Sequence, residues 1–329
     1  MAYERIIRAV MASPWAILPE KMDEIMAFLE LQAAGHKLDP AVLRAQFPEA
    51  AARANPRAAG NVAVLPLYGV IAQRMGLMSE FSGGTSTERF GAAFRQAVND
   101  PNVKAIVIDT DSPGGSVGGV AELADEIYRA RGSKPIVAVA NSMAASAAYW
   151  IAASADEVVV TPGGVVGSVG VISAHTDISK AAEAQGVKTT FITAGRFKAE
   201  GNEWEPLGDE ARAARQSIVD DYYGLFVNAV ARGRGVAVGD VRGGFGEGRV
   251  VTAKRAVAAK MADRVGTLRD TLQRFGASLE PARAAAPEME IAVVAAVAEE
   301  GAEIKPPART AANQREIYER RMRLVGVTR

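Results

Sequence analysis

Cysteine is absent from this sequence. Its absence excludes disulfides, thiol nucleophiles and Cys-ligated zinc or iron–sulfur centres. Histidine is scarce: His36 and His175 lie far apart and neither sits in an HExxH pattern, so no metal centre or other cofactor is expected. An excess of one charge is also missing, because 38 Lys and Arg balance 38 Asp and Glu. Without a global field, neither nucleic acid nor an anionic membrane is an expected partner. No apolar run reaches the ~18 residues of a membrane span. Met1 to Ala12, with Glu4, Arg5 and Arg8, lacks the apolar core and small-residue cleavage site of a signal peptide. A soluble, cytoplasmic protein is the expectation. The remainder is ordinary globular composition: 329 residues, 49% hydrophobic and 23% charged, enough for a well-buried core.

The chain divides by pattern. Residues 1–59 read as a separate helical extension: Met22, Ile25, Met26, Leu29 and Leu31 recur at helical spacing, and Asp39-Pro40 has the form of an N-cap and first turn for a helix through Ala54. Residues 60–276 alternate strands with helices. Strands are expected at Val62 to Tyr68, Val103 to Asp109, Pro135 to Ala140, Glu157 to Thr161, 162–172 and Lys188 to Thr193. Helices are expected at Ser86 to Asn99, Val117 to Arg131, Ile178 to Ala184, Asp209 to Gly233 and Thr267 to Phe275, and Glu247 to Ala256 reads as a strand followed by a Thr-capped helix. Such alternation predicts a layered α/β fold with a largely parallel sheet, whose chemistry gathers at the carboxyl ends of the strands. From Ala277 to Arg329 the composition turns to Ala, Glu and Pro, which predicts a flexible linker and a short charged helical tail.

The stretch Asn141 to Ala152 places Ser146 among Ala144, Ala145, Ala147 and Ala148, directly after an apolar strand. A serine at a strand-to-helix junction, with small neighbours and free N–H groups nearby, is suited to nucleophilic attack. The plain alternative is an Ala/Ser helix that lets two backbones approach closely. A second feature, Asp109 to Ser116, follows another apolar strand, and Gly114 and Gly115 after Pro113 permit backbone geometry that a side chain would block. Their N–H groups suit an oxyanion. A phosphate is the rival ligand, but Gly114 to Gly119 does not satisfy GxGxxG and no Lys-Ser/Thr pair follows, so the nucleotide reading is weak. Ser168, within a Val- and Gly-rich strand, and Lys198, in a polar loop, carry no local mark of function.

Taken in order, Asp111-Ser-Pro-Gly-Gly115, Met143-Ala-Ala-Ser-Ala-Ala-Tyr149, Gly167-Ser-Val-Gly-Val-Ile172 and the Lys198 loop resemble the signal-peptide-peptidase A family of Ser-Lys peptidases, from about Val62 to Leu268. The resemblance implies a ClpP/crotonase-like fold. It assigns Ser146 as nucleophile, Lys198 as general base, Ser168 as the hydroxyl that hydrogen-bonds the lysine, and Gly115 with Gly114 as the oxyanion hole. A lysine acts as a base only when neutral, so its pKa must fall from ~10.4 by several units through desolvation. Single-module relatives form rings in which serine and lysine come from adjacent protomers, so a homo-oligomer with shared active sites is implied. Ala147-Ala148 departs from the Gly-Gly that often follows the nucleophile. With its helical extension and Ala/Glu/Pro-rich tail, the chain is most similar to the phage minor capsid protein C type of head-maturation protease. That type implies polypeptide substrates such as scaffold and capsid proteins. Other readings are a cytoplasmic signal-peptide-peptidase-like protease, a crotonase-like acyl-CoA enzyme, a non-catalytic capsid assembly protein, and a Ser-His-Asp triad through His175 and Asp177.

Overall fold

The computed structural model describes residues 10, 13–33, 56–74 and 84–278. The expected helix from Asp39 to Ala54 and nearly all of the 277–329 tail lie outside these residues. The centre of the fold is a 10-stranded sheet. Its spine runs β10 (Arg264–Val265), β7 (Glu157–Val160), β6 (Ile136–Ala145), β5 (Ala105–Ser116), β3 (Val62–Ala72) and β2 (Arg57–Ala59). From β10 to β3 every pairing is parallel, and β2 closes the edge antiparallel to β3. The layered α/β architecture with a largely parallel sheet is therefore present.

The spine strands are Val-, Ile- and Ala-rich because both faces are covered. Ile106, Ile108, Ile136, Ala138, Val158 and Val160 face the larger core beneath the helices, while Val107, Val137, Val139 and Val159 face the opposite side with Leu268 and Leu272. Helices α2 (Thr87–Asn99) and α3 (Val120–Arg129) cover the first face, with Phe90, Phe94, Leu123 and Ile127 buried. Ser86 caps α2 by accepting a hydrogen bond from the Arg89 N–H. On the opposite face α9 (Leu268–Arg274) begins in a capping box between Thr267 and Asp270.

The sequence pattern and the fold part company in four places. Trp15–Ile17 is a strand, β1, paired antiparallel with Gly114–Ser116, so part of the supposedly separate extension belongs to the sheet; only then does α1 (Pro19–Ala33) begin. Three residues are too few for any periodicity to register. The expected strand Lys188 to Thr193 is irregular, and Ile192 is 98% exposed. Its β-type composition meets no sheet edge among the described residues. The long helix α6 (Asp209–Arg234) buries Phe226, Val227 and Val230 but leaves Ile218 and Leu225 exposed, so the expected apolar stripe is only partly covered. The helix packs against α3 and α4 (Ala147–Ala152). The 162–172 segment shortens to β8 (Val165–Gly167), which pairs with β6 on one side and β9 (Val250–Thr252) on the other.

Candidate active site

Strand β6 ends at Ala145 and helix α4 starts at Ala147, leaving Ser146 alone at the junction with φ 55° and ψ −120°. Residues with a side chain rarely adopt this conformation, and such strain persists only where the surroundings enforce it. Here they do. The Ser146 N–H donates to the Gly167 carbonyl at 2.7 Å, and its carbonyl accepts from the Trp150 N–H at 2.9 Å. Every residue of α4 is buried. Trp150 stacks on Phe226 with centroids 4.7 Å apart, and the Tyr149 hydroxyl donates to the Met261 carbonyl at 2.8 Å. The aromatic pair contributes about 1 kcal/mol beyond its burial. Beyond the helix's C-terminal end, Arg131 donates to the carbonyls of Ala153 at 3.1 Å and Ser154 at 2.9 Å, where a cation also complements the helix dipole.

Ser146 is 1% exposed, and its Oγ has no hydrogen-bond partner among the described residues. A buried hydroxyl normally finds one, so an orphan costs stability unless it has another use. Around it the backbone is tight. A methyl carbon placed on Gly114 would lie 2.9 Å from Ser146 Cβ and 2.2 Å from the Ala16 carbonyl oxygen; one on Gly115 would lie 1.8 Å from the Ile71 carbonyl oxygen. Gly114 also has φ 100°. No other residue type fits either position. Ser112, unremarked in the sequence, positions this turn: its hydroxyl donates to the Gly69 carbonyl at 2.6 Å and accepts from the Gly114 N–H at 3.2 Å.

Ser168 follows β8 directly, with φ 52°, and is 4% exposed. Its N–H donates to the Arg249 carbonyl at 2.8 Å, which fixes the strand next to Ser146. The structure thus brings Ser146, Ser168, Gly114 and Gly115 together. Lys198 is not brought in. It lies exposed on a turn where its own N–H donates to the Gly195 carbonyl at 3.1 Å, and no side chain among the described residues engages its ammonium. The loop is tethered to α6 by the Arg196–Glu210 ion pair at 3.0 Å and by Arg215, which donates to the Gly201 carbonyl at 2.8 Å. His175 and Asp177 form no triad. The Asp177 carboxylate accepts from the Ser179 N–H at 2.8 Å, which together with the Ser179 side chain holds its pKa below the usual carboxylate range.

A second polar cluster, missed in the sequence, lies across β2, β3, β5 and β6. Asp109, 1% exposed, is paired with Arg57 at 3.0 Å, accepts from Asn141 at 3.0 Å and receives the Tyr68 hydroxyl. Burial and then the adjacent Asp109 charge push the Tyr68 hydroxyl upward, and the same two causes raise Asp111. The network ties four strands together ahead of the glycine turn.

Residues 129–280 match Peptidase family S49. Among curated proteins, the chain is 34% identical over 223 residues to Head-tail preconnector protein GP5 of Enterobacteria phage P21, covering 68% of this chain and 44% of that protein. It is 35% identical over 212 residues to Capsid assembly protease C of Escherichia phage lambda, covering 64% and 48%. It is also 28% identical over 216 residues to Protease 4 of Salmonella typhi, covering 65% and 34%. The chain spans about half the length of the phage relatives it matches. Over residues 129–280 the chain is thus similar to peptidase family S49, which bears out the resemblance to the signal-peptide-peptidase A family. No helix among the described residues is long and apolar enough to cross a membrane.

Proposed function

We propose that the protein is a serine endopeptidase with a Ser-Lys dyad that cleaves scaffold and head proteins during phage or prophage capsid maturation. Ser146 attacks the peptide carbonyl. Lys198 takes its proton, Ser168 orients the lysine, and the N–H of Gly115, with Gly114 shaping the turn, stabilises the oxyanion. The observation that carries this reading is the buried, unpartnered Ser146 Oγ on a strained strand-to-helix junction beside two glycines that admit no side chain. A hydroxyl kept free of structural hydrogen bonds is available for proton transfer to a base.

The base comes from a neighbouring copy. Lys198 is exposed, and so are Phe191, Ile192 and Phe197 on the same segment and Ile218 and Leu225 on α6. Apolar exposure of this kind favours burial against another chain. Such burial would also strip water from the Lys198 ammonium. The active sites are therefore shared in a homo-oligomer working on polypeptides in the host cytoplasm or procapsid, and the similarity to phage proteases supports that setting over a bacterial signal-peptide-peptidase-like role.

A non-catalytic assembly module is the second reading, and the separation of Lys198 from Ser146 within one chain favours it. Proteolysis of a disordered polypeptide at pH 8 to 9 by wild type, Ser146→Ala and Lys198→Ala decides between them. Cleavage by wild type alone is expected. Activity surviving in either variant would refute the dyad, and inactivity of the wild-type oligomer would leave the assembly reading.

A further inference from the structure

Strand β1 lies where a peptide substrate of the Ser146 site would lie. It runs antiparallel to the strand that carries the two glycines, with Trp15 opposite Ser116, Ala16 opposite Gly115 and Ile17 opposite Gly114. On its other edge Trp15 exchanges both backbone hydrogen bonds with Ile172, each at 2.9 Å. The segment is thus held on both sides as an inserted strand, the mode by which extended peptides are bound between exposed strand edges.

The register identifies which carbonyl matters. Leu18 N–H donates to the Pro113 carbonyl at 3.0 Å and Val117 N–H to the Pro14 carbonyl at 3.5 Å. In an antiparallel ladder hydrogen-bonded pairs recur every second residue, so Ala16 and Gly115 form the hydrogen-bonded pair between these two contacts. The Gly115 N–H, assigned above to the oxyanion, therefore points at the Ala16 carbonyl. That carbonyl oxygen and Ser146 Cβ lie 2.2 and 2.9 Å from the same point above Gly114. Ala16 has no exposed surface and joins the main core, whereas Trp15 and Ile17 pack apart from it with Leu29 and Val70. The side of the groove nearest Ser146 accordingly holds a methyl group and leaves no open volume around it. Beyond Pro14 the line of the strand opens into a cleft of about 390 Å³, lined by Ser13, Gln73, Val117 and Tyr222 among others.

We propose that Pro14–Leu18 occupies the peptide groove of the Ser146 site as a substrate would, with Ala16 in the place of the residue whose carbonyl is attacked. The groove therefore takes extended peptides with a small residue at that position, and it is closed to them until this segment leaves. This rests on the reading of Ser146 as a peptidase nucleophile, and it explains why the hydroxyl is both unpartnered and inaccessible.

Two readouts separate the inference from the reading beneath it. The first needs no catalysis. In a full-length Ser146→Ala background, a fluorescent peptide with the sequence of Ser13–Glu20 is titrated by anisotropy, with and without the further change Ala16→Arg, which cannot be accommodated at a position with no exposed surface. Binding at least ~10-fold tighter to the Ala16→Arg protein is expected, as is loss of that binding when the peptide itself carries Arg in place of alanine. Should Ala16→Arg fail to fold, the double change Trp15→Gly and Ile17→Gly, which weakens the strand outside the main core, replaces it.

The second readout is the cleavage rate with the serine intact. The displaced variant is expected to cleave a disordered polypeptide at least ~10-fold faster than wild type, and added Ser13–Glu20 peptide is expected to slow it. Equal peptide binding by both proteins, or equal cleavage rates in wild type and the displaced variant, would overturn the inference while leaving the dyad intact. Peptide binding gained in the displaced variant while no form cleaves would support the groove assignment and count against the dyad.

Discussion

Ser146 is 1% exposed and sits where β6, β8, α4 and the glycine turn of β5 meet, whereas Lys198 stands on an exposed turn among Phe191, Ile192 and Phe197. The first region is over-determined. The Ser146 N–H and carbonyl both have partners, Gly114 and Gly115 are each enforced by a neighbour less than 3 Å from where a side chain would begin, and the helix behind is wholly buried. The second region is under-determined, with apolar side chains facing solvent and no sheet edge to pair with. Groups that must be preorganised are built into the core of one chain. Lys198, the proposed base, stands on a surface that a second chain would complete, which would tie its desolvation to assembly.

The comparison is broken most severely by removing either reacting group. Ser146→Ala and Lys198→Ala should each lower peptidase activity by about 10⁴-fold or more, while both proteins remain folded by circular dichroism. Co-assembling the two inactive proteins from a denatured or dissociated mixture should restore about a quarter of wild-type activity, since random placement in a closed ring puts an intact serine beside an intact lysine at that fraction of sites. No recovery from mixed, demonstrably hetero-oligomeric samples would place both groups in one protomer.

The next effect is on stability and differs between the two regions. Gly115→Ala places a methyl 1.8 Å from the Ile71 carbonyl oxygen and should cost roughly 3 kcal/mol or more, or prevent folding. Gly195→Ala instead meets a positive φ, 100°, and its nearest neighbour is Lys198 Cβ at 3.8 Å, so the cost should be about 1 kcal/mol. Denaturant titration of the two variants against wild type measures both. Equal losses would mean that the lysine loop is as tightly fixed as the glycine turn.

Legibility from sequence follows the same division. The Ala-rich run around Ser146, the glycines after Pro113 and the Val/Ile strands were readable because each is enforced by local geometry and burial within one chain. The α/β alternation was readable for the same reason. Trp15–Ile17 was not, since three residues carry no period and the strand exists only because distant partners, Gly114–Ser116 and Ile172, receive it. Lys188 to Thr193 misled in the opposite sense: β-branched residues with no partner edge read as a strand and remain irregular. Asp109 was passed over because nothing local reveals that Arg57, Tyr68 and Asn141 converge on it from three other strands.

Acid should weaken the sheet edge formed by β7 and β10. Burial alone would raise the Glu157 carboxyl, but hydrogen bonds from Arg274 and Arg264 outweigh it and hold the pKa low; Asp263 is likewise held low by Arg234 and the Val158 N–H against its own burial. For a carboxylate whose folded pKa is depressed, the stabilisation is present above the unfolded pKa and is lost as pH falls through the folded one. Thermal melting should therefore decline from about pH 5 downward. Glu157→Gln should flatten that decline while lowering the melting temperature at pH 7. Asp111, raised by burial and by Asp109, has the opposite sign: its contribution is most favourable when protonated at low pH and is lost as pH rises through its folded pKa, so Asp111→Asn should steepen the acid decline slightly.

The smallest effect on the isolated fold should be the most informative about the lysine side. Ile192 is 98% exposed and Ile218 is 48% exposed, so Ile192→Asp removes no packing within the chain and should change unfolding free energy by less than about 0.5 kcal/mol. If the segment docks on a neighbouring copy, the same change inserts a charge into an apolar contact. The oligomer should then dissociate at concentrations where wild type remains assembled, as read by analytical ultracentrifugation. Activity should fall in parallel with assembly and recover at high protein concentration, because dissociation separates Lys198 from the serine it serves without altering either. An oligomer undisturbed by Ile192→Asp would place the interface elsewhere, and Lys198 would then need another source of desolvation.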